Sequence, residues 1–259
     1  YINKFKDVCK CDINCLDDLL VCVEKRLKYF KEVGCKIADH ALDDYYFVEG
    51  NREEVDSIFK KKLMNNDLEF YEVQKYKTFI ILHLMKLYKE NNIVCQFHIA
   101  SIRNVNSKMY EYLGKDIGND AISDYSFGNT LHLLLDKSEK NGNLYKTIVY
   151  SLNSNYYDII STIINCFNKE AKGFMQVGSA WWFNDHIDGM LKQISSVCNT
   201  SLICNFIGML TDSRSFLSFV RHDYFRRILC NFLGENILKG RIVNDLELIG
   251  KIIKDISYY

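Results

Sequence analysis

Residues 146–180 read KTIVYSLNSNYYDIISTIINCFNKEAKGFMQVGSA. A β-branched, apolar run from Lys146 to Leu152 comes first. Tyr156, Ile159, Ile160, Ile163, Ile164 and Phe167 follow at three- and four-residue intervals, and a second short run extends from Phe174 to Ala180. Short apolar runs of this kind read as buried strands, and the three-four spacing reads as one face of a helix. The stretch therefore predicts strand, helix, strand, the unit of a parallel sheet.

The same unit recurs on both sides. Gly34 to His40, Ile93 to Ala100 and Phe206 to Thr211 are further strand candidates, which makes five. Helical spacing covers Asp17 to Val33, the set Val73, Tyr76, Ile80, Leu84 and Leu87, and the set Ile187, Met190, Leu191 and Ile194. Two helices close the chain, one carrying Phe216, Val220, Tyr224, Ile228 and Phe232. The last carries Leu246, Ile249, Ile253 and Ile256 behind an Asn244/Glu247 capping box. Ser101 to Ser126 is long, polar and glycine-containing, and is expected to be a loop over the site. Five strands form an open doubly wound sheet as they stand. They also form part of an eight-stranded barrel whose first three strand-helix units are missing.

At 48% hydrophobic residues in 259, one large domain spanning 1–259 can bury its own core. Lys+Arg and Asp+Glu balance at 33 each with no basic tract, so neither nucleic acid nor an anionic membrane is the expected partner, and a small molecule is. Apolar stretches such as Thr78 to Leu84 and Ile203 to Leu210 are too short for a bilayer, and no signal-peptide pattern is present, so the chain reads as soluble and cytoplasmic. Ten cysteines spread through apolar runs are expected to be thiols. Cys9, Cys11, Cys15 and Cys22 cluster, but their spacing matches no common zinc motif. Proline is absent, a compositional bias without functional content.

In any parallel architecture, functional groups gather where strands end. The five ends offer Asp39 and His40; His98 and Arg103; Ser151 and Asn153; Trp181, Trp182, Asn184 and Asp185; and Asp212 and Arg214. Any one of these could simply cap a helix, but two histidines, two arginines and two aspartates converging on strand ends predict a polar pocket. His83 and His132 fall on helical stripes and read as structural; His222 and Arg221 lie in a basic, aromatic turn near the site.

Five segments resemble uronate isomerases: Ala38-Asp39-His40; Gln96-Phe97-His98-Ile99 through Ile102-Arg103-Asn104; Gly178-Ser179-Ala180-Trp181-Trp182-Phe183-Asn184-Asp185; Leu210-Thr211-Asp212-Ser213-Arg214-Ser215-Phe216-Leu217-Ser218; and Arg221 through Cys230. The resemblance runs from about Gly34 to the end of the chain. It implies the C-terminal part of a (β/α)8 barrel of the amidohydrolase type. It also implies interconversion of D-glucuronate with D-fructuronate, and of D-galacturonate with D-tagaturonate, by proton transfer between C2 and C1.

The resemblance further implies that Asp212 ligates a divalent metal, zinc or manganese, together with a His-x-His pair that occurs nowhere in this chain. On that basis the chain alone is expected to lack a complete metal set and activity, and its uncovered strand edges leave it open to self-association as a homo-oligomer. His98 and His40 are candidate proton-transfer groups beside Asp212. Arg103 and Arg214 suit a carboxylate or enediolate. Asp39, Trp181 and Trp182 complete the expected substrate-binding set; two adjacent strand residues would face opposite ways, so at most one indole is expected to meet substrate and the other to pack in the core or rim. A metal-dependent hydrolase on the same barrel would call for a lysine or extra histidines bridging two metals, and the strand-end residues include no lysine; an inactive fragment or binding module is the reading from a different class.

Overall fold

The computed structural model describes residues 2–169, 172–210 and 215–258. It is an α/β fold in which four strands join in the order β1 (Ile37–Ala41), β2 (Val94–Ile99), β5 (Thr147–Ser151), β6 (Met175–Val177). A two-stranded antiparallel ladder, β3 (Ser101–Ile102) with β4 (Ala121–Ile122), is separate from it. The helices are α1 (Ile2–Cys9), α2 (Leu16–Glu32), α3 (Arg52–Leu63), α4 (Phe70–Asn91), α5 (Ser107–Leu113), α6 (Gly128–Lys140), α7 (Tyr157–Asn165), α8 (Ile187–Thr200), α9 (Arg221–Leu238) and α10 (Leu246–Tyr258). Among the described residues no helix is long and apolar enough to cross a membrane.

The chain divides into two compact units. The first comprises Tyr1–His40, Asp44–Gln96 and Asn129–Lys146. Its core joins Cys9 at the end of α1 and Ile13 before α2 to Leu16, Leu19, Leu20 and Cys22 of α2 and Val55 and Phe59 of α3, which the three-four spacing of those two helices turns to one side. The Asn51 side chain accepts the Glu54 N–H at 2.9 Å while Glu54 accepts the Asn51 N–H at 3.0 Å, a reciprocal cap that starts α3. Eight cysteines of the chain are free, but the sulfurs of Cys11 and Cys22 pair as a disulfide, against the expectation of ten thiols.

The second unit comprises Ala41–Asp43, Phe97–Gly128 and Thr147–Tyr259. The strand-helix-strand stretch forms as expected: β5 and β6 run parallel with Thr147 opposite Met175 and Val149 opposite Val177. All five residues of β5 are buried, as a strand covered on both faces must be. The buried face of α7 is Tyr157, Ile160, Ser161 and Ile164, with Ile159 left 44% exposed, so the helix is turned slightly from the expected stripe.

Phe206 to Leu210, the described part of the fifth strand candidate, joins no ladder. Its Ile207 N–H donates to the Gln176 side chain at 2.8 Å, where a strand would donate to a neighbouring carbonyl, and Gly208 has φ +79°, which breaks an extended run. The last helix is capped one residue later than the Asn244/Glu247 pattern suggests: Asp245 accepts the Leu248 N–H at 2.9 Å.

Candidate functional site

The expected loop over Ser101 to Ser126 is more ordered than its composition suggests. Its β3–β4 ladder pairs Ile102 with Ala121, and that register brings Arg103, just past β3, beside Asp120, just before β4. Asp120 accepts from the Asn104 N–H at 2.8 Å and from Arg103 Nη1 at 3.2 Å, and Asp43 accepts from Arg103 Nε at 3.1 Å. Ser101 Oγ donates to the other oxygen of Asp43. The guanidinium also lies over the Trp182 ring, 5.0 Å from its centroid. Partial burial works against the charge on Arg103, but its hydrogen bonds to Asp43 and Asp120 outweigh it and raise the pKa above the ordinary arginine value. Two of its five N–H donors are used in these bonds.

His98, near the end of β2, is stacked on Tyr150 of β5 with centroids 4.7 Å apart, and lies 4.4 Å from the Trp181 ring. Trp181 in turn meets Trp182 edge to face at 5.5 Å. The two tryptophans do not lie on a strand. Both follow β6, and Trp182 opens a 3-10 turn over Trp182–Asn184 with φ +53°. Alternation along a strand therefore does not govern them, and both indoles touch candidate residues. A left-handed backbone at a bulky residue costs about 1–3 kcal/mol and collects at functional sites. Ala100 and Asn104, on either side of Ser101 and Arg103, share it with φ +67° and +53°.

His98, Arg103, Trp181 and Trp182 thus come together in the second unit. Sequence reasoning missed Asp43, Asp120 and Tyr150. Asp43 follows a strand end and had a signal; Asp120 is placed by a two-residue ladder that leaves none.

Other candidates have structural duties. Ser151 and Asn153 bond to their own turn, with Ser151 Oγ donating to the Asn153 carbonyl at 2.9 Å, while Asn153 Nδ2 donates to the Ser123 carbonyl at 2.9 Å. Buried Asn184 donates to the Leu152 carbonyl at 2.7 Å. The N-cap of α8 is His186, not Asp185, and it accepts the Gly189 N–H at 3.2 Å. Asp185 instead accepts from Tyr224 Oη at 2.6 Å and from Arg221 Nε at 2.8 Å, which ties α9 to the tryptophan turn. Asp39 is exposed and His40 half-buried in the first unit, where His40 Nε2 lies 2.6 Å from Tyr88 Oη. Burial lowers the His40 pKa and the Asp39 charge opposes this. Asp212 and Arg214 lie outside the described residues.

A cavity of about 640 Å³ opens at the other end of β6, between α7 and α8, lined by Asn165, Gln176, Asn199 and Thr200 among others. It lacks a paired acid and base, so the strand-end cluster is the better candidate. Among the described residues, the group of three metal-capable side chains that converges is Cys9, Cys11 and Cys22, in the first unit. The described residues around His98 therefore do not make up a donor set for the metal implied by the resemblance.

Comparison with known proteins gives one consistent answer. The glucuronate isomerase family matches residues 1–259. Uronate isomerase of Caldanaerobacter subterraneus subsp. tengcongensis is 44% identical over 259 residues, covering 100% of this chain and 56% of the relative. That of Geobacillus thermodenitrificans is 44% identical with the same coverage. The crystal structure of uronate isomerase from Thermotoga maritima superposes with a TM-score of 0.90 at 32% identity, over 100% of this chain and 55% of that one. Glucuronate isomerase from Caulobacter crescentus shares the fold at a TM-score of 0.86 and 23% identity, over 99% of this chain and 52% of that one. The chain thus spans about 56% of the length of the curated relatives it matches.

Proposed function

Because the chain belongs to the glucuronate isomerase family, we propose that it serves the interconversion of D-glucuronate with D-fructuronate, and of D-galacturonate with D-tagaturonate. The observation that carries this reading is the grouping of a histidine and an arginine between aromatic walls, with Arg103 5.0 Å over Trp182 and His98 4.4 Å from Trp181. An aldose-ketose isomerisation must move a proton between C2 and C1 and hold the negative charge that develops on oxygen. An imidazole, which can both take and give a proton, suits the first task and a guanidinium the second. The indoles would exclude water and pack on the sugar.

Asp212 and His40 stay in the proposal as catalytic candidates, and Arg214 and Asp39 as substrate-binding candidates, on their matching motifs. A divalent metal, zinc or manganese, enters through Asp212 alone, and no step is derived through it. The parallel β5–β6 pair and the strand-helix alternation support a (β/α)8 barrel of the amidohydrolase type as the parent architecture. A cytoplasmic setting, a hexuronate as partner in place of nucleic acid or membrane, and homo-oligomeric assembly complete the reading.

The test is turnover of glucuronate and of glucose, measured side by side with the enzyme that carries this chain. Arg103 and Arg214 predict a preference for the uronate, since a charge-assisted pair contributes about 1.5–3 kcal/mol. Equal turnover of the two sugars overturns the assignment.

A further inference from the structure

Cys9 ends α1, Cys11 follows it, and Cys22 lies within α2. Their three sulfurs are all within 4.8 Å of one another. Cys9 and Cys22 are each 1% exposed, inside the core of the first unit, while Cys11 is half-buried at its edge. We propose that in the reduced protein these three thiols form a clasp for a soft divalent cation, zinc, which fastens α1 to α2.

Three observations carry the proposal. The Cα atoms of Cys11 and Cys22 are 7.4 Å apart, beyond the span of about 4.4–6.8 Å that disulfides ordinarily bridge. Two thiolates each about 2.3 Å from a shared metal cover a longer separation without moving the backbone. A Cys11–Cys22 disulfide also leaves the Cys9 thiol outside the pair, donating only to the Cys22 carbonyl at 3.7 Å, although its sulfur belongs to the same group, whereas a metal engages all three. Finally, three thiolates around a dication carry one net negative charge, and the Lys25 ammonium is held at the backbone of one of the three, 3.0 Å from the Cys9 carbonyl.

The clasp also has a mechanical reason. A helix of eight residues is too short to stand alone in water, so α1 depends on what holds it to α2. Binding replaces three S–H bonds by three S–Zn bonds and releases three protons, so affinity rises with pH. Half-exposed Cys11 leaves an approach for water, which takes the fourth tetrahedral position. Cys15 is engaged with Asp18. The spacing hides the site because the ligands come from one helix end and the interior of the next, not from a knuckle loop.

The protein is purified under reducing conditions, its zinc is counted, and cobalt is exchanged for zinc. The expected result is one equivalent that survives dialysis, with thiolate-to-cobalt charge-transfer absorption. Oxygen and nitrogen ligands at the proposed catalytic position give no such band, so the two sites are told apart. Cys11→Ser should abolish the band and the retained zinc, while Cys166→Ser, at an exposed free thiol, should keep both. X-ray absorption at the zinc edge of the unsubstituted protein gives a second reading that needs no variant: a shell of three sulfurs supports the clasp. A cobalt form without charge-transfer absorption, a zinc shell of only oxygen and nitrogen, or a band that survives in a folded Cys11→Ser variant overturns it.

Discussion

Gly178 lies so close to Tyr150 that a Cβ at this position would come within 2.2 Å of Cδ1 and 2.3 Å of Cε1 of its ring. Tyr150 is 3% exposed and is the ring on which His98 stacks. A missing side chain on β6's outgoing turn thus sets the position of an aromatic on β5, and that aromatic sets the imidazole on β2.

Gly178→Ala should therefore displace Tyr150 and loosen His98. Overfilling a packed site costs about 1–3 kcal/mol, which a urea titration would read as a lower midpoint with unchanged slope. If the proposed isomerase activity depends on His98, kcat should fall further than stability alone explains. A variant as stable as the parent, with the same near-ultraviolet dichroism, would mean that Tyr150 has room to give.

The strand-helix-strand unit around Ile160 was legible because its signals are local: a buried strand of continuous apolarity, then one helical face, then another strand. His98 and Trp181 were legible because strand ends can be read in order along the chain. The partners of Arg103 were not. Asp120 reaches it through two paired residues on each side, too few to leave a pattern in composition, and Asp43 comes from a segment sixty residues away. The failed fifth strand has the same cause, because the Gln176 side chain that takes the Ile207 N–H is invisible to periodicity.

Arg103 is held by Asp43 and Asp120 and covered on one face by Trp182. Arg103→Ala leaves two carboxylates facing each other without a cation. Arg103→Lys restores charge but neither the planar fork nor the stacking. Loss of a charge-assisted pair worth about 1.5–3 kcal/mol corresponds to roughly 10- to 160-fold in kcat/KM for a uronate, and lysine should recover only part. Steady-state kinetics on glucuronate decide the point; full rescue by lysine would show that position of charge alone matters.

Asp185 joins α9 to the turn that carries both tryptophans, through Tyr224 and Arg221. Burial, aided by the Asp185 hydrogen bond, pushes the Tyr224 phenol up to about 12. The phenol thus stays protonated and donating. Asp185→Asn and Tyr224→Phe should each destabilise the chain, and the double variant should lose less than their sum, with a coupling of about 0.5–3 kcal/mol. Strict additivity in denaturant midpoints would show that the 2.6 Å contact contributes nothing of its own.

His40 gives the fold a dependence on acidity. Burial lowers its pKa, with the Asp39 charge acting the other way, and burial lowers the pKa of His83 as well. In the unfolded chain each imidazole titrates near about 6.5. Between that value and the lower folded one, the unfolded state binds more protons, so stability rises with pH there. The contribution is fully present above about 6.5 and is lost as pH falls from that value through the folded pKa. Thermal midpoints should therefore decline from about pH 7.5 to about pH 5. His40→Gln keeps a hydrogen-bonding group within reach of Tyr88 but removes the titration, and should flatten the decline by the share that His40 carries, leaving that of His83. An unchanged pH slope in the variant would show that the imidazole beside Tyr88 is protonated as easily in the folded chain as in the unfolded one.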